Sequence, residues 1–290
     1  MKAIFNMVLA AAGVLFILFS SHFLKNRSLA PMDSDAASNI VFQQDISYGT
    51  LPKQKLDLCK PKNLQGKVPG VIIIHGGGSD KSKHTAQCKK LAENGFVAVA
   101  VNYREDPPPT WKVVLADNRL ALDWLKARDD VENGKIGAVG GSLGGYVSSM
   151  MGVHESEMDV QCVNNDFGPT DFTDPSWDWD SELGQYFVAK FFGGVTYKQN
   201  PKLYENLSPA MHVSSDDASN WLFTRSTNDH LVPRSQMTRM IDALTKVGIK
   251  TEFYEYDGTG AGHANNLPPL QNLRLFNKRI DFMVSCLNSL

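Results

Sequence analysis

The chain has 290 residues, of which 21% are charged, and its formal net charge is -2 at pH 7. This near-neutral balance excludes the strong positive field by which proteins attract nucleic acid, so we expect a neutral or weakly polar small molecule as partner and no nucleic acid. Beyond its N-terminal segment, the length fits one large domain better than two small ones.

The N-terminal segment differs from the rest of the chain. Lys2 precedes a run from Met7 to Phe19 that contains no charged residue. Such a run fits a signal peptide, whose apolar core has about 7 to 15 residues, or an uncleaved anchor of about 20 residues. Positive charges flank it on both sides, so its orientation stays open. We predict that residues 1–24 are a signal peptide or membrane anchor and 25–38 a linker, with the following domain outside the cytoplasm.

Short apolar runs alternate with helical segments after the linker. The first two runs show the alternation of a half-exposed hairpin at a sheet edge, and the others are typical of buried strands. The eight runs are Asn39–Tyr48, Lys53–Lys60, Val68–Ile74, Phe96–Tyr103, Lys135–Val139, Val160–Asn164, Trp221–Thr224 and Thr251–Tyr256. Helical spacing occurs in Lys83–Asn94, Trp111–Arg128, Arg234–Val247 and Leu270–Leu287. This order predicts an α/β fold over residues 39–290, with a doubly wound, mostly parallel sheet. Ligands bind such sheets beyond the carboxyl ends of the strands.

A serine lies at one of these strand ends. The sequence Gly140-Gly141-Ser142-Leu143-Gly144 is a G-x-S-x-G motif, placed directly after a predicted strand and before a helical stretch. In that context the turn holds the serine in a strained conformation, and the glycines let neighbouring backbone approach. We predict that Ser142 is a nucleophile; the alternative is a glycine-rich turn with an incidental serine.

A second glycine motif, His75-Gly76-Gly77-Gly78, follows the apolar strand that ends at Ile74. Acyl transfer places negative charge on the substrate carbonyl oxygen, which backbone N–H groups can stabilise. We predict an oxyanion hole formed by the N–H groups of Gly77, Gly78 and Leu143, with Gly76 as a possible replacement for one of the first two. No Walker lysine or dinucleotide motif follows, which argues against a phosphate loop.

The predicted base and acid follow from chain order, which in this arrangement runs serine, acid, histidine. His263 lies in a glycine-rich loop after the last strand and is the predicted general base. Asp229 follows the strand before it and is predicted to orient that base. Asp166, after the sixth strand, is the less favoured alternative acid. Two further histidines after the serine are predicted to cap loops or face solvent: His212 and His230.

The segment 171–205 interrupts the alternation with many aromatic residues and predicts a small cap. Its phenylalanines are expected to pack the cap on the body, whereas Trp177 or Trp179 is expected to line the substrate pocket. The chain has four cysteines without a C-x-x-C pair, which does not suggest a metal site and leaves their pairing open. We expect no metal and no cofactor.

Several motifs resemble one family. They are LDLCKP, VIIIHGGG, AVAVNYRE, ADNRLALDWL, IGAVGGSLGGY, FGPTDF, SPAMHV and NDHLVPRSQM. From about Ile46 to its end, the chain resembles the α/β-hydrolase esterases near the hormone-sensitive-lipase-like and bacterial acetyl or feruloyl esterase (BD-FAE-like) groups. The resemblance implies hydrolysis of short-chain esters, possibly of acetylated carbohydrate, without a cofactor, with Ser142, Asp229 and His263 at the triad positions. Two alternatives stay open: the elbow is also similar to prolyl-oligopeptidase-like peptidases, and a non-catalytic binding protein can use the same fold.

Overall fold

The computed structural model describes residues 39–153, 158–258, 262, 263, 267 and 269–290. Its strands are β1 (Ile40–Ser47), β2 (Lys55–Pro61), β3 (Val68–Ile74), β4 (Val97–Val101), β5 (Val131–Gly141), β6 (Cys162–Asp166), β7 (Asn220–Ser226) and β8 (Lys250–Tyr256). They form one sheet in the order β1-β2-β4-β3-β5-β6-β7-β8. The pairs β1–β2 and β2–β4 are antiparallel, and the other neighbours are parallel. The predicted edge hairpin and doubly wound sheet are therefore confirmed.

Helices cover both faces of the sheet. They are α1 (Thr85–Glu93), α2 (Thr110–Lys126), α3 (Leu143–Gly152), α4 (Glu182–Tyr186), α5 (Pro201–Asn206), α6 (Arg234–Lys246) and α7 (Pro269–Asn288). Apolar residues of α2, α3 and α6 belong to one buried cluster, while those of α1 and α7 belong to another. Every residue of α3 is buried, so the element that follows Ser142 lies in the core and cannot shift without disturbing it.

Two disulfides attach α1 and α7 to the face of the sheet that they cover. Cys59–Cys88 joins β2 to α1, and Cys162–Cys286 joins β6 to α7. Their Cα–Cα distances of 5.7 Å and 6.2 Å lie within the usual range. The structure thus supplies the pairing that the sequence left open. Disulfides persist in oxidising compartments and are rare in the cytosol.

The predicted N-terminal targeting segment, residues 1–24, and its linker lie outside the described residues. Among the helices within the described part, none is both long and apolar enough to cross a membrane.

The segment between β6 and β7 folds into short elements: α4, a π-helical turn from Phe187 to Phe191, and α5. The Phe172 ring is its centre, with five aromatic neighbours at centroid distances of 5.2 to 5.9 Å. Asp171 fastens the segment to α6 through Arg239, at 2.5 Å, and through the Gln236 side chain. Because aromatic rings bury large apolar areas, this cluster holds the cap on the sheet.

Removing the Cys162–Cys286 bond should destabilise the protein more than removing Cys59–Cys88. The first closes a separation of 124 residues and the second one of 29. Chain-entropy arguments give losses of about 5 and about 3.5 kcal/mol, respectively, in the free energy of unfolding. Urea unfolding of the two paired Cys→Ala variants measures the difference. In excess reductant the variants and the wild type should converge. Equal losses under oxidising conditions would contradict the loop-length account.

Candidate active site

Ser142 occupies the sharp turn between β5 and α3. Its φ of 54° and ψ of -121° lie in a region that non-glycine residues rarely adopt. The surrounding backbone leaves no room for side chains: a Cβ on Gly144 would lie 2.2 Å from the Ile74 carbonyl oxygen, and one on Gly140 would lie 2.4 Å from Gly144. The glycines therefore let β3, β5 and α3 meet, and the serine side chain is held at the edge of the sheet.

His263 joins Ser142 to Asp229. Its Nε2 atom lies 2.8 Å from Ser142 Oγ, and its Nδ1 atom lies 2.9 Å from Asp229 Oδ2. An ionised carboxylate only accepts hydrogen bonds, so Nδ1 carries the proton and Nε2 is left to accept from the serine hydroxyl. The Phe167 ring meets the imidazole edge-on at a centroid distance of 5.0 Å and limits its rotation. The structure thus brings together the three residues that the sequence singled out.

Asp229 is held in place by the loop after β7. Its Oδ1 atom accepts hydrogen bonds from the backbone N–H groups of Leu231 and Val232, both at 3.0 Å. Burial alone raises the pKa of the Asp229 carboxyl, but the hydrogen bond and charge of His263, with these two N–H groups, outweigh it and hold the pKa below its ordinary value. The carboxylate is therefore ionised at neutral pH and faces the imidazole.

Asp166, the alternative acid, has other partners. Its Oδ2 atom lies 2.6 Å from Arg279 Nε on α7. Its Oδ1 atom accepts from Thr224 Oγ1 at 2.5 Å and from Asn164 Nδ2 at 3.0 Å. Oδ2 thus ties the sheet to α7, while Oδ1 is bonded within the sheet, to β6 and β7. The backbone carbonyl of Asp166 also accepts the Ser142 N–H at 2.9 Å, so this residue supports the turn that holds the serine.

The predicted oxyanion donors differ in their availability. Leu143 is the first residue of α3, where an N–H group has no acceptor within the helix. A Cβ on Gly77 would lie 3.7 Å from Leu143 Cδ2, so the glycine loop faces this helix terminus. The Gly78 N–H, by contrast, already donates to both carboxylate oxygens of Glu105, at 3.0 and 3.1 Å. Gly77 and Leu143 fit the predicted role as they stand, whereas Gly78 is engaged.

His75 supports the glycine loop. Its ring stacks on Tyr103 at a centroid distance of 4.2 Å, and its Nδ1–H donates to the Gly76 carbonyl at 2.7 Å. The Tyr103 hydroxyl donates to the His75 carbonyl at 2.7 Å. Burial lowers the pKa of His75 to about 4, so the ring is neutral at physiological pH. This histidine orients the backbone that carries Gly77.

A cavity of about 390 Å³ opens beside Ser142. Its walls come from the glycine loop, the start of α2, the elbow and the cap. The lining residues are Gly77, Gly78, Glu105, Thr110, Ser142, Leu143, Leu183, Tyr186, Phe187, Phe191 and His263.

Neither Trp177 nor Trp179 is among these lining residues, which corrects the expectation that a tryptophan lines the pocket. Trp177 packs behind the wall, with its ring 5.6 Å from that of Phe187, and Trp179 packs against Tyr204 at 5.2 Å. The larger rings bury more apolar area inside the aromatic cluster, and the phenylalanines of the π-helical turn face the cavity instead.

Sequence reasoning also missed Glu105 and the part of the cap wall formed by Leu183 and Tyr186. Glu105 lies four residues after the end of β4, where loops at the carboxyl ends of parallel strands collect polar side chains. That position was the available signal. Leu183 and Tyr186 belong to a helix of five residues, too short to show an amphipathic pattern.

The arrangement has a clear chemical capacity. A serine hydroxyl that donates to an imidazole, whose other nitrogen donates to a buried carboxylate, can lose its proton as its oxygen attacks an electrophilic carbon. Gly77 and the first residue of α3, Leu143, lie next to each other beside this serine.

Comparisons with known proteins agree with this geometry. The BD-FAE family model matches residues 56–244. The probable carboxylic ester hydrolase LipM of Mycobacterium tuberculosis is 30% identical over 234 residues, which are 72% of this chain and 53% of LipM. Esterase LipC of the same organism is 25% identical over 249 residues, 78% of this chain and 60% of LipC. The chain therefore spans only about half to three-fifths of the length of these curated relatives.

A solved structure described as a truncated carbohydrate esterase from gut microbiota is also similar. It matches with a TM-score of 0.70 at 21% identity, over 86% of this chain and 96% of that one. Thermogutta terrifontis esterase 2, phosphonylated by sarin, matches with a TM-score of 0.67 at 18% identity, over 84% of this chain and 94% of that one. These likenesses confirm the predicted α/β-hydrolase fold.

The two carboxylates should respond differently to replacement by asparagine. Asp229→Asn removes the acceptor that fixes the His263 tautomer, so the rate of Ser142 labelling by a fluorophosphonate should fall by about 10²-fold or more, with little loss of stability. Asp166→Asn leaves the largely buried Arg279 without its charge partner, so the free energy of unfolding should fall by about 3 kcal/mol. Mass spectrometry and urea unfolding measure the two effects; the reverse ranking of labelling rates would refute the assignment of Asp229.

Proposed function

The chain belongs to the BD-FAE family, and on this premise we propose that it is a serine esterase that hydrolyses short-chain carboxylic esters through an acyl-enzyme. The observation that carries the proposal is the unbroken hydrogen-bond chain from Ser142 through His263 to Asp229. The similarity to LipM, a probable carboxylic ester hydrolase, and to esterase LipC supports the same reaction class.

In the first step Ser142 Oγ attacks the ester carbonyl carbon, and His263 Nε2 takes the hydroxyl proton. Asp229 stays ionised, holds the Nδ1–H tautomer and stabilises the imidazolium that forms. The carbonyl oxygen becomes negatively charged, and the N–H groups of Gly77 and Leu143 donate to it. The Gly78 N–H is bonded to Glu105 and is not needed as a donor in this step.

The tetrahedral intermediate then collapses. The carbonyl re-forms as the C–O bond to the alcohol breaks, and His263 returns its proton to the leaving oxygen. A water molecule takes the place of the alcohol, gives its proton to His263 and attacks the acyl carbon. The acid is released, and Ser142 recovers its proton, so no external cofactor takes part in the cycle.

The size of the cavity supports short acyl chains. A volume of about 390 Å³ is near the lower end for sites that bind small molecules. The cap closes it with Leu183, Phe187 and Phe191, and the Phe187 and Phe191 side chains are buried. We infer acetyl to butyryl esters as the preferred substrates. Acetylated carbohydrate is one such class, and the carbohydrate esterase among the similar structures supports it.

We further propose that this activity is located outside the cytoplasm. Residues 1–24 carry the composition of a signal peptide or anchor. The two disulfides support the same location, because cytosolic reductants keep thiols reduced.

Ser142→Ala should abolish ester hydrolysis. The triad acts as a unit, so kcat should fall by about 10³-fold or more on p-nitrophenyl acetate. Fluorophosphonate labelling should stop as well, and the circular dichroism spectrum should match that of the wild type. The same assay with a peptide p-nitroanilide tests whether amides are cleaved. Retained hydrolysis by a folded Ser142→Ala protein would refute the proposal, and faster cleavage of the anilide would favour a peptidase.

Leu183→Ala should extend the acyl-chain preference from acetyl and butyryl towards hexanoyl esters, because it removes apolar volume from the cavity wall. Trp177→Ala is the matched control: it lies behind the wall, so it should leave the chain-length profile unchanged and cost about 3 to 5 kcal/mol of stability. A series of p-nitrophenyl esters, with thermal unfolding of each variant, measures both effects. A shifted chain-length profile in Trp177→Ala, with no shift in Leu183→Ala, would contradict this assignment of the cavity wall.

A further inference from the structure

Glu105 places a negative charge in the wall of the cavity that contains Ser142. Both of its carboxylate oxygens accept the Gly78 N–H, at 3.0 and 3.1 Å, which fixes the side chain against the glycine loop. A Cβ on Gly77 would lie 3.4 Å from Glu105 Oε2, so the carboxylate also covers the neighbouring glycine. The charge is thus held beside the N–H groups that face the reacting carbonyl oxygen.

This charge is not neutralised by the protein. Among the residues that the structure describes, no lysine or arginine forms an ion pair with Glu105. Burial raises its pKa, and the Gly78 N–H and the more distant charge of Lys53 oppose that effect without cancelling it. The carboxylates that pair elsewhere in the fold, such as Asp57 with Lys81 and Asp117 with Arg104, show the contrast.

An uncompensated carboxylate at this position works against the proposed reaction. Negative charge develops on the substrate oxygen beside the same loop, and two like charges close together in a partly buried site repel each other. A hydroxyl group of a substrate would donate a hydrogen bond to Glu105 but would not remove its charge. A positively charged group would do so.

The remaining wall suits such a group. Tyr186, Phe187 and Phe191 line the same cavity as Glu105. Burial, and after it the charge of Glu105, raises the pKa of Tyr186. Aromatic faces attract alkylammonium groups through the ring quadrupole, and a carboxylate among them adds a direct charge partner. A carboxylate with three aromatic rings is therefore a site for a cation with an apolar surface.

We propose that Glu105 makes this cavity selective for esters that carry an alkylammonium group within a few atoms of the ester carbonyl. The inference rests on the proposed esterase function and specifies its substrate class. When the ammonium group pairs with Glu105, it neutralises the charge that repels the oxyanion. The substrate itself thus supplies the positive charge that this site lacks.

Two matched ester pairs test the proposal, one on each side of the ester bond. On the alcohol side, acetylthiocholine is compared with its neutral analogue, 3,3-dimethylbutyl thioacetate. On the acyl side, p-nitrophenyl 4-(trimethylammonio)butyrate is compared with p-nitrophenyl 5,5-dimethylhexanoate. The wild type should show a kcat/KM about tenfold higher for the cationic member of at least one pair, and added salt should reduce the ratio.

Glu105→Gln should bring this ratio to about one, while its amide oxygen still accepts the Gly78 N–H and keeps the loop in place. Hydrolysis of the neutral member should rise, because the opposing charge is gone. Asp106→Asn is the matched control: it removes an exposed charge from the same loop that does not line the cavity, and it should leave the ratio within about twofold.

The outcomes separate the two hypotheses. If the wild type hydrolyses neutral esters but shows no cationic preference in either pair, or if Glu105→Gln keeps the preference, the role of Glu105 is overturned and the esterase function stands. If Asp106→Asn lowers the ratio as much as Glu105→Gln does, the cationic preference comes from the net charge of the protein, and the proposed pairing with Glu105 is overturned. If no ester, including p-nitrophenyl acetate, is hydrolysed, both proposals are overturned.

Discussion

The close approach of β3, β5 and α3 is the constraint on which the rest of the site depends. Gly144 lies so near the Ile74 carbonyl that any Cβ would overlap it, and Gly140 lies equally near Gly144. Packing at this distance holds Ser142 in a backbone conformation with a φ of 54°. The burial of α3 offsets the energetic cost of this conformation. The same approach sets the glycine loop after β3 against the first N–H groups of α3. This close packing thus fixes both the serine and the position of the glycine loop beside α3.

The charge partners of three carboxylates, each of which follows a parallel strand, then determine their different roles. Asp166 and Asp229 both follow buried parallel strands, and both are buried. Arg279 satisfies the first, which becomes part of the scaffold, while backbone N–H groups and His263 satisfy the second. Glu105 follows a third strand and has only the Gly78 N–H among the described residues. The carboxylate with a guanidinium partner stabilises the fold, Asp229 lies behind His263, and Glu105 lines the cavity.

The aromatic residues of the cap form two groups: some line the cavity, and others pack behind them. Trp177 and Trp179 lie against each other at a centroid distance of 5.4 Å, in a segment of turns and bends. Trp177 packs behind Phe187, while Trp179 packs against Phe192 and Tyr204. Phe187 and Phe191 in turn meet both Phe172 and the cavity. The wall of the site is therefore rigid because a second layer of rings holds it. Its shape follows from the whole cluster rather than from any one residue.

The sequence by itself determined the order of strands and helices, the elbow at Ser142, the glycine loop and the chain order of Asp229 and His263. Each depends on local pattern: hydrophobic period, glycines at a tight turn, and position after a strand. Tertiary structure alone decided the partner of Asp166, the two disulfide pairings, the engagement of Gly78 by Glu105, and the placement of phenylalanines rather than tryptophans in the cavity wall. These features join residues far apart in the chain, such as Asp166 with Arg279 and Cys162 with Cys286. Their geometry is set by how the layers pack, and no local pattern in the sequence encodes it.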